Sequence, residues 1–196
     1  MLNSVPRARL THDDRRRQLL GIGLARLVDT PIGQLSIDDV AAEAGISRGL
    51  LFHYFPTKRD FHRECIAAAG RRMLRNTAPD PTLEPDARVR MMVRLFVEQI
   101  ERRRAFYLSL LHGTGLADEA IVAVYDDLWN QATRRVLDAV GLDEGQAPVV
   151  HAWWAYVEDL ALSWSAEPAN RRARSVDELV EHSAAALTAL LDLPGR

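Results

Sequence analysis

The sequence predicts an all-α protein with two helical domains, and two features of the chain support this. Apolar residues recur every three or four positions along most of the 196 residues, and the alternation typical of β-strands is absent. Pro79, Pro81 and Pro85 interrupt the helical pattern and separate a first segment from the rest of the chain. We therefore expect a small N-terminal domain, a connecting helix and a larger C-terminal domain.

The N-terminal domain is predicted to begin with an amphipathic helix. Its apolar face consists of Leu19, Leu20, Gly23, Leu24, Leu27 and Val28. A cluster of helix breakers at residues 29–33 ends it. This helix would brace the two shorter helices that follow.

A short second helix is predicted to start after Ser36. Ser36 suits the N-cap position, and Asp38 and Asp39 fall in the first turn, where negative charge complements the helix dipole. Its narrow apolar stripe is formed by Ile37, Val40, Ala41 and Ala44. Gly45 then ends the helix, because glycine can adopt the left-handed conformation that reverses the chain.

A third helix is predicted directly after this turn, with Ser47 as its N-cap. Leu51 faces the core, so the outer face is formed by Arg48, Gly49, Leu50 and His53. The spacing of Ala41, Gly45 and Leu51 is that of a helix-turn-helix unit, although an ordinary αα-hairpin also fits it. A helix with such an outer face can enter a DNA major groove.

The segment His53-Tyr54-Phe55-Pro56-Thr57-Lys58 follows at once. With it, residues from roughly Asp14 to Arg75 closely resemble the N-terminal DNA-binding domain of TetR-type transcriptional regulators. The resemblance implies a three-helix helix-turn-helix domain, joined by a fourth helix to a C-terminal helical ligand-binding and dimerisation domain. Thr57 would cap the fourth helix, which runs to about Asn76. The rest of the chain resembles the family only in length and helical character.

The resemblance also implies which residues contact DNA. Those expected are Ser36, Ser47, Arg48, Gly49, Leu50, His53, Tyr54 and Lys58. Arg48 can donate two hydrogen bonds to guanine, and Lys58 suits a phosphate contact. Tyr54 fits a phosphate contact and a core aromatic equally well. Leu50 and Phe52 stand where the family often has threonine and tyrosine, so two hydroxyl donors are missing, but Leu50 can contact a thymine methyl group.

The charge distribution agrees with two domains that have different partners. Residues 1–77 contain 13 Lys and Arg and 8 Asp and Glu, a net +5, and the remainder contains 12 and 19, a net −7. A basic segment suits a nucleic-acid partner. We expect a disordered arm at 1–11, which either touches the DNA backbone or stays free, a helix-turn-helix domain at 12–56, a connecting helix at 57–77, and a ligand-binding and dimerisation domain at 78–196.

The C-terminal domain is predicted to consist of helices at about 86–103, 104–112, 117–140, 148–166 and 175–192. It is rich in bulky apolar side chains with polar tips, which line small-molecule pockets but also build ordinary cores. The resemblance implies an inducer cavity here. The expected ligand-binding residues are Met92, Phe96, Tyr107, His112, Tyr125, Trp129 and Trp154. His112 fits equally well as a helix-end histidine that interacts with terminal carbonyls.

The last two predicted helices suit the self-association of two chains in a four-helix bundle. Their apolar faces are wide, and a two-fold axis would give two reading helices for successive major grooves. The expected dimer-interface residues are Trp153, Val157, Leu160, Trp164, Val180, Ala184 and Leu187. Glu158 and Asp159 are interpreted as salt-bridge partners or solvated side chains.

Composition and motifs argue against other classes of protein. Cys65 is the only cysteine and is expected to be an inert packed thiol, and no apolar run or leader indicates a membrane or an exported protein, so we expect a cytoplasmic location. A helical metalloenzyme would need Glu-x-x-His pairs, which no histidine here provides, and phosphate-loop and nucleophile-elbow motifs are missing. We expect no catalytic residues, metal or cofactor.

We therefore expect a homodimeric, ligand-responsive regulator that binds a double-stranded DNA operator, most simply a repressor released by a small apolar or aromatic inducer. The alternatives are a small helical enzyme and a helical adaptor without DNA binding. The adaptor leaves the net +5 of residues 1–77 and the positions of Arg48 and Lys58 unexplained.

Overall fold

The computed structural model describes residues 10–112 and 119–193, without the side chains of Ser109, Leu111 and His112. Within these residues the fold is entirely α-helical, as predicted. The helices are α1 His12–Arg26, α2 Ile37–Ala44, α3 Arg48–Tyr54, α4 Lys58–Asn76, α5 Pro85–Arg102, α6 Arg104–His112, α7 Glu119–Val140, α8 Ala147–Ala166 and α9 Val176–Leu191. Short 3₁₀ turns occupy Ile32–Gln34, Glu144–Gln146 and Ala169–Arg171. Most of the predicted arm and the segment between the predicted helices at 104–112 and 117–140 lie outside the described residues.

Side-chain caps fix where the N-terminal helices begin. The hydroxyl oxygens of Thr11, Ser36 and Ser47 accept hydrogen bonds from backbone N–H groups three residues ahead, at 3.1 to 3.2 Å. Each cap satisfies a donor that the first helical turn leaves free. The three helices enclose a core that contains Leu19, Leu27, Leu35, Val40, Leu51 and Phe55.

The turn between α2 and α3 depends on Gly45. Its backbone is left-handed, with φ 66° and ψ 36°. The Ile46 N–H donates to the carbonyl oxygen of Ala41 at 3.0 Å, and the Gly45 N–H donates to that of Ala42, also at 3.0 Å. This closes α2 and lets α3 start two residues later, which is the predicted helix-turn-helix geometry.

Helix α4 belongs to both domains. A capping box between Thr57 and Asp60 fixes its start. Its first half packs against α1, where Gly23 lets the Cys65 and Phe61 side chains approach closely. Its second half packs against α7, where a Cβ on Gly70 would lie 2.8 Å from Leu128 Cγ. The connecting helix α4 therefore packs against the cores of both domains.

The C-terminal domain is built around α5, which packs against α7, α8 and α9. The proline-rich link before α5 is held by Arg88, whose guanidinium donates to the carbonyl oxygens of Leu83 at 2.7 Å and Pro81 at 2.9 Å. A capping box of Ser175 and Glu178 starts α9. Helix boundaries in this domain agree with the predicted ranges to within about two residues.

Candidate nucleic-acid interface, ligand cavity and dimer surface

The outer face of α3 is open to solvent. Arg48, Gly49, Leu50 and His53 are exposed, and Leu50 leaves 40% of its surface free, whereas Leu51 is fully buried. The structure therefore brings the sequence-predicted groove residues together on one side of α3.

Arg48 is paired in the free protein. Its Nη1 lies 2.9 Å from Asp38 Oδ2 and 3.1 Å from Asp38 Oδ1, and its guanidinium lies 5.4 Å from the centre of the Phe52 ring. Both charged side chains remain well exposed. The sequence-based prediction assigned Asp38 only to the helix dipole, and its role as the partner of Arg48 was missed because ten residues separate them along the chain.

The remaining predicted DNA contacts lie around α3. Lys58 is the first residue of α4 and is exposed. Tyr54 is half-buried, and its ring centre lies 4.6 Å from that of His12 and 5.7 Å from that of His53. The Ser36 and Ser47 hydroxyls act as helix caps, and as acceptors in these bonds they still have a proton to donate.

A cavity of about 40 Å³ lies in the C-terminal domain, between α4, α6, α7 and α8. It has room for roughly three water molecules. Its lining combines apolar with a few polar side chains and includes Ile66, Gly70, Met73, Phe106, Leu110 and Leu128. Two of the helices that line it, α4 and α6, also touch the DNA-binding domain, α4 through α1 and α6 through the 3₁₀ turn at Ile32–Gln34.

The cavity contains only part of the predicted ligand-binding set. Tyr107, Tyr125 and Trp129 line it, as expected for a pocket. Met92, Phe96 and Trp154 are buried in the core and do not line it; the Phe96 ring lies behind Trp129, with centres 5.8 Å apart. The side chain of His112 lies outside the described residues.

Three polar residues of the cavity, Gln99, Arg103 and Glu158, were not among the predicted ligand-binding residues. Gln99 Nε2 donates to the Tyr107 hydroxyl at 3.2 Å, and the Tyr125 hydroxyl donates to Glu158 Oε2 at 2.8 Å. Burial raises the pKa of Glu158 to about 7 and that of Tyr107 to about 12. Arg103 also lines the cavity, and burial lowers its pKa. Glu158 follows Trp154 by four residues, so it lies on the buried face of α8, and this spacing was the signal that could have found it.

The predicted dimer-interface residues are placed differently from the expectation. All except Leu160, which is half-buried, are buried within the chain itself: Trp153, Val157, Trp164, Val180, Ala184 and Leu187. The Trp153 indole N–H even donates to the Ser183 carbonyl oxygen on α9 at 2.8 Å. The wide apolar faces of α8 and α9 therefore pack on α5 and on each other, and these six side chains contribute mainly to the core of the chain itself.

The opposite sides of α8 and α9 form a different surface. Its accessible residues are small or weakly polar and recur at helical spacing: Ala152, Ala155, Tyr156, Leu160, Ser163, His182, Ala185, Ala186 and Ala189. Tyr156, which is 39% exposed, and His182 join the two helices through a hydrogen bond of 2.5 Å between the hydroxyl and Nε2. We call these nine residues the outer α8–α9 surface.

Comparison with known proteins identifies the N-terminal domain. Residues 26–65, which contain the turn at Gly45 and the whole of α3, match the family of bacterial regulatory proteins, tetR family. The helix-turn-helix segment is therefore similar to that of the tetR family. The match ends within the first half of α4 and does not include the C-terminal domain.

Two relatives that match the chain are transcriptional regulators. The transcriptional regulator EthR of Mycobacterium tuberculosis is 42% identical over 59 residues, which are 28% of this chain and 27% of that protein. The transcriptional activator FasR of Mycolicibacterium smegmatis is 25% identical over 144 residues, which are 70% of this chain and 64% of that protein. The chain thus spans about a quarter of EthR and less than two thirds of FasR.

The whole fold is shared with solved TetR-family structures. A TetR-family transcriptional regulator from Streptomyces coelicolor superposes with a TM-score of 0.79 at 23% identity, covering 93% of this chain and 82% of that one. At this identity the likeness concerns the fold alone.

Among the described residues, the helices are too short or too polar to cross a membrane, and acidic, histidine and cysteine side chains form no group of three that could hold a metal ion.

Proposed function

We propose that this protein is a TetR-type regulator that is ligand-responsive and binds DNA sequence-specifically, and that it acts as a repressor released by a small apolar or aromatic molecule. One structural observation carries the proposal. The single helix α4 begins with the exposed Lys58 beside the α3 face and, three turns later, forms a wall of the cavity through Gly70 and Met73.

The DNA-binding half of the proposal rests on the chemistry of the α3 face. Arg48 presents a guanidinium that can donate two parallel hydrogen bonds to guanine, and Leu50 offers an apolar contact for a thymine methyl group. Lys58 supplies a phosphate contact that does not depend on sequence. In each half-site, Arg48 and Leu50 would supply base-specific contacts and Lys58 a nonspecific contact to phosphate.

Two copies of α3 are needed to bind two successive major grooves, so the proposal includes a homodimer. The outer α8–α9 surface supports this assignment, since its alanines allow close approach of a second pair of helices and Tyr156 adds apolar area. A four-helix bundle formed in this way uses the faces that the chain leaves free, rather than the buried faces expected from the sequence.

Ligand response follows from the position of the cavity. A ligand larger than the cavity displaces part of its lining, and two of the lining helices, α4 and α6, contact the DNA-binding domain. DNA is released if the ligand favours a dimer in which the two α3 helices no longer match the groove spacing of ~34 Å. The ligand must therefore bind more tightly to the displaced arrangement than to the DNA-bound one.

Selection of random duplex DNA by the purified protein tests the proposal. We expect enrichment of an inverted repeat with half-sites about one helical turn apart. Arg48→Ala should weaken binding to the selected operator by about 1–3 kcal/mol and relax the preference at one base position per half-site. Arg134→Ala, an exposed arginine on α7, is the matched control and should change neither.

Two outcomes would contradict parts of the proposal. Failure of the wild-type chain to enrich any sequence would refute sequence-specific binding, and a motif unchanged by Arg48→Ala would refute the role of that residue. A reporter gene placed behind the selected operator then measures the direction of regulation: repression is expected, whereas FasR is named an activator.

A further inference from the structure

One carboxylate oxygen in the cavity wall has no partner. Glu158 is only 6% exposed, and its Oε2 accepts a hydrogen bond from the Tyr125 hydroxyl, but its Oε1 is buried without a hydrogen-bond donor. A buried acceptor left without a donor costs free energy, and a buried carboxylate costs more. The chain keeps this group beside an apolar cavity, where a ligand could supply the missing donor.

No cation of the described residues neutralises Glu158. Its titratable neighbours are the Tyr125 phenol on α7, the Tyr107 phenol on α6 and the carboxylate of Asp159 next to it on α8. Arg103 and Arg72 line the same cavity, but neither approaches the Glu158 carboxylate within ion-pair distance. A positive charge at Oε1 is therefore what this site lacks.

We propose that the cavity selects an aromatic or apolar organic amine, an inference that rests on the proposed function. The ammonium group donates a hydrogen bond to Glu158 Oε1, and the apolar part displaces side chains of α4 and α6. Tyr125 and Trp129 line the same cavity, with ring centres 5.8 Å apart, and aromatic rings attract organic cations. This deepens the proposed apolar or aromatic inducer by assigning it a charge.

An amine fits better than the two obvious alternatives. A neutral alcohol can donate to Oε1, but it leaves the carboxylate charge uncompensated in an apolar wall. A carboxylic acid would be drawn to Arg103 and Arg72 and repelled by Glu158, and Arg72 is already exposed to water. The amine alone satisfies both the hydrogen bond and the charge.

The proposal has a consequence for protons. Because burial brings the pKa of Glu158 to about 7, the group is mainly protonated at pH 6 in the free protein. An ammonium group favours the ionised carboxylate, so its binding releases a proton from Glu158 to solvent at that pH. A neutral ligand of the same shape releases none.

Three probes with one skeleton test the proposal: 4-phenylbutylamine, 4-phenylbutan-1-ol and 4-phenylbutanoate. Isothermal titration and tryptophan fluorescence measure their binding to the full-length wild type, to Glu158→Gln and to Asp159→Asn. We expect the amine to bind wild type at least about tenfold more tightly than the alcohol or the acid. Glu158→Gln should reduce this preference to within about threefold, and Asp159→Asn, which removes a neighbouring exposed charge, should retain it.

A second measurement needs no variant. Titration of the amine into wild-type protein at pH 6, in two buffers with different ionisation enthalpies, should show release of close to one proton, and the alcohol should show none. Equal or tighter binding of the acid or the alcohol, absence of amine binding at millimolar concentration, or an amine preference that survives Glu158→Gln would each overturn the proposal. Operator selection is measured without any probe, so a failed amine preference with intact operator binding refutes this inference alone.

Discussion

The Arg48 guanidinium is held by Asp38 across the turn between α2 and α3, with Nη1 2.9 Å from Oδ2 and 3.1 Å from Oδ1. The pair joins the first turn of α2 to the first residue of α3. It limits the rotamers of the residue that is proposed to contact a base, and it places a negative charge beside the proposed DNA-binding face. These two effects oppose each other when DNA binds.

Replacement of Asp38 by Asn should separate the two effects. Loss of the negative charge should increase affinity for a scrambled duplex, and loss of the clamp on Arg48 should reduce the ratio of operator to scrambled affinity. Asp39→Asn removes the same charge one residue later without touching Arg48, and is the control. Both affinities should be measured at one fixed salt concentration. An unchanged ratio in Asp38→Asn would show that the clamp has no part in specificity.

Lys58→Ala should weaken binding to all sequences by a similar factor, because an exposed lysine at the start of α4 contacts phosphate and not a base. The slope of log Kd against log salt concentration should decrease by about 1 for each such contact in a half-site. Binding isotherms at four salt concentrations measure this slope. A change in the selected motif would contradict the assignment of Lys58 to the backbone.

Gly70→Ala should destabilise the fold by about 1–3 kcal/mol, because the added methyl group overlaps the Leu128 side chain where α4 meets α7. Leu128→Ala in the same chain creates room for it, so the double variant should be more stable than the sum of the two single changes predicts. Urea denaturation of the four proteins gives the coupling free energy. Additive effects would mean that the two helices move apart freely at this point.

Tyr156→Glu should give a folded monomer, since it places a charge in the outer α8–α9 surface without disturbing the core. By contrast, polar replacement of Trp153 or Val157, which the sequence analysis assigned to the interface, should unfold the chain because both are fully buried. Sedimentation with circular dichroism distinguishes the outcomes. Gln131→Glu on an exposed face of α7 is the control, and a dimeric Tyr156→Glu would contradict this surface.

The pH dependence of stability should identify Glu158. Its pKa is raised from 4.5 to about 7, so the folded chain binds more protons than the unfolded chain between these values. Stability should therefore fall as pH rises through this window, by roughly 1–3 kcal/mol. Glu158→Gln should remove this component. Identical pH profiles of unfolding for the variant and wild type would show that the carboxyl is not buried in solution.

Local chemistry made the helices predictable. Ser36, Ser47, Thr57 and Ser175 cap the helices that they precede, and Gly45 forms the left-handed turn, because these effects depend on only a few neighbouring residues. The exposed face of α3 followed from the burial of Leu51.

Long-range contacts limited the prediction of sites. Apolar periodicity shows that Trp153 and Val157 are buried, but it does not tell whether the neighbour is α5 or a second chain. For the same reason, apolar periodicity did not distinguish aromatic residues that line the cavity, such as Tyr125, from those in the core, such as Phe96. Glu158 was interpreted as a salt-bridge partner or a solvated side chain, and a carboxylate is rarely buried without a partner.

The small size of the cavity, about 40 Å³, sets the sensitivity of this protein as a detector. A molecule with an aromatic ring exceeds that volume, so part of its binding free energy is consumed in opening the site. Its apparent affinity is its affinity for the open site multiplied by the fraction of chains that are already open. The response threshold is therefore adjustable through the size of the cavity. Trimming one wall residue, as in Leu110→Ala, would lower the concentration at which the protein responds.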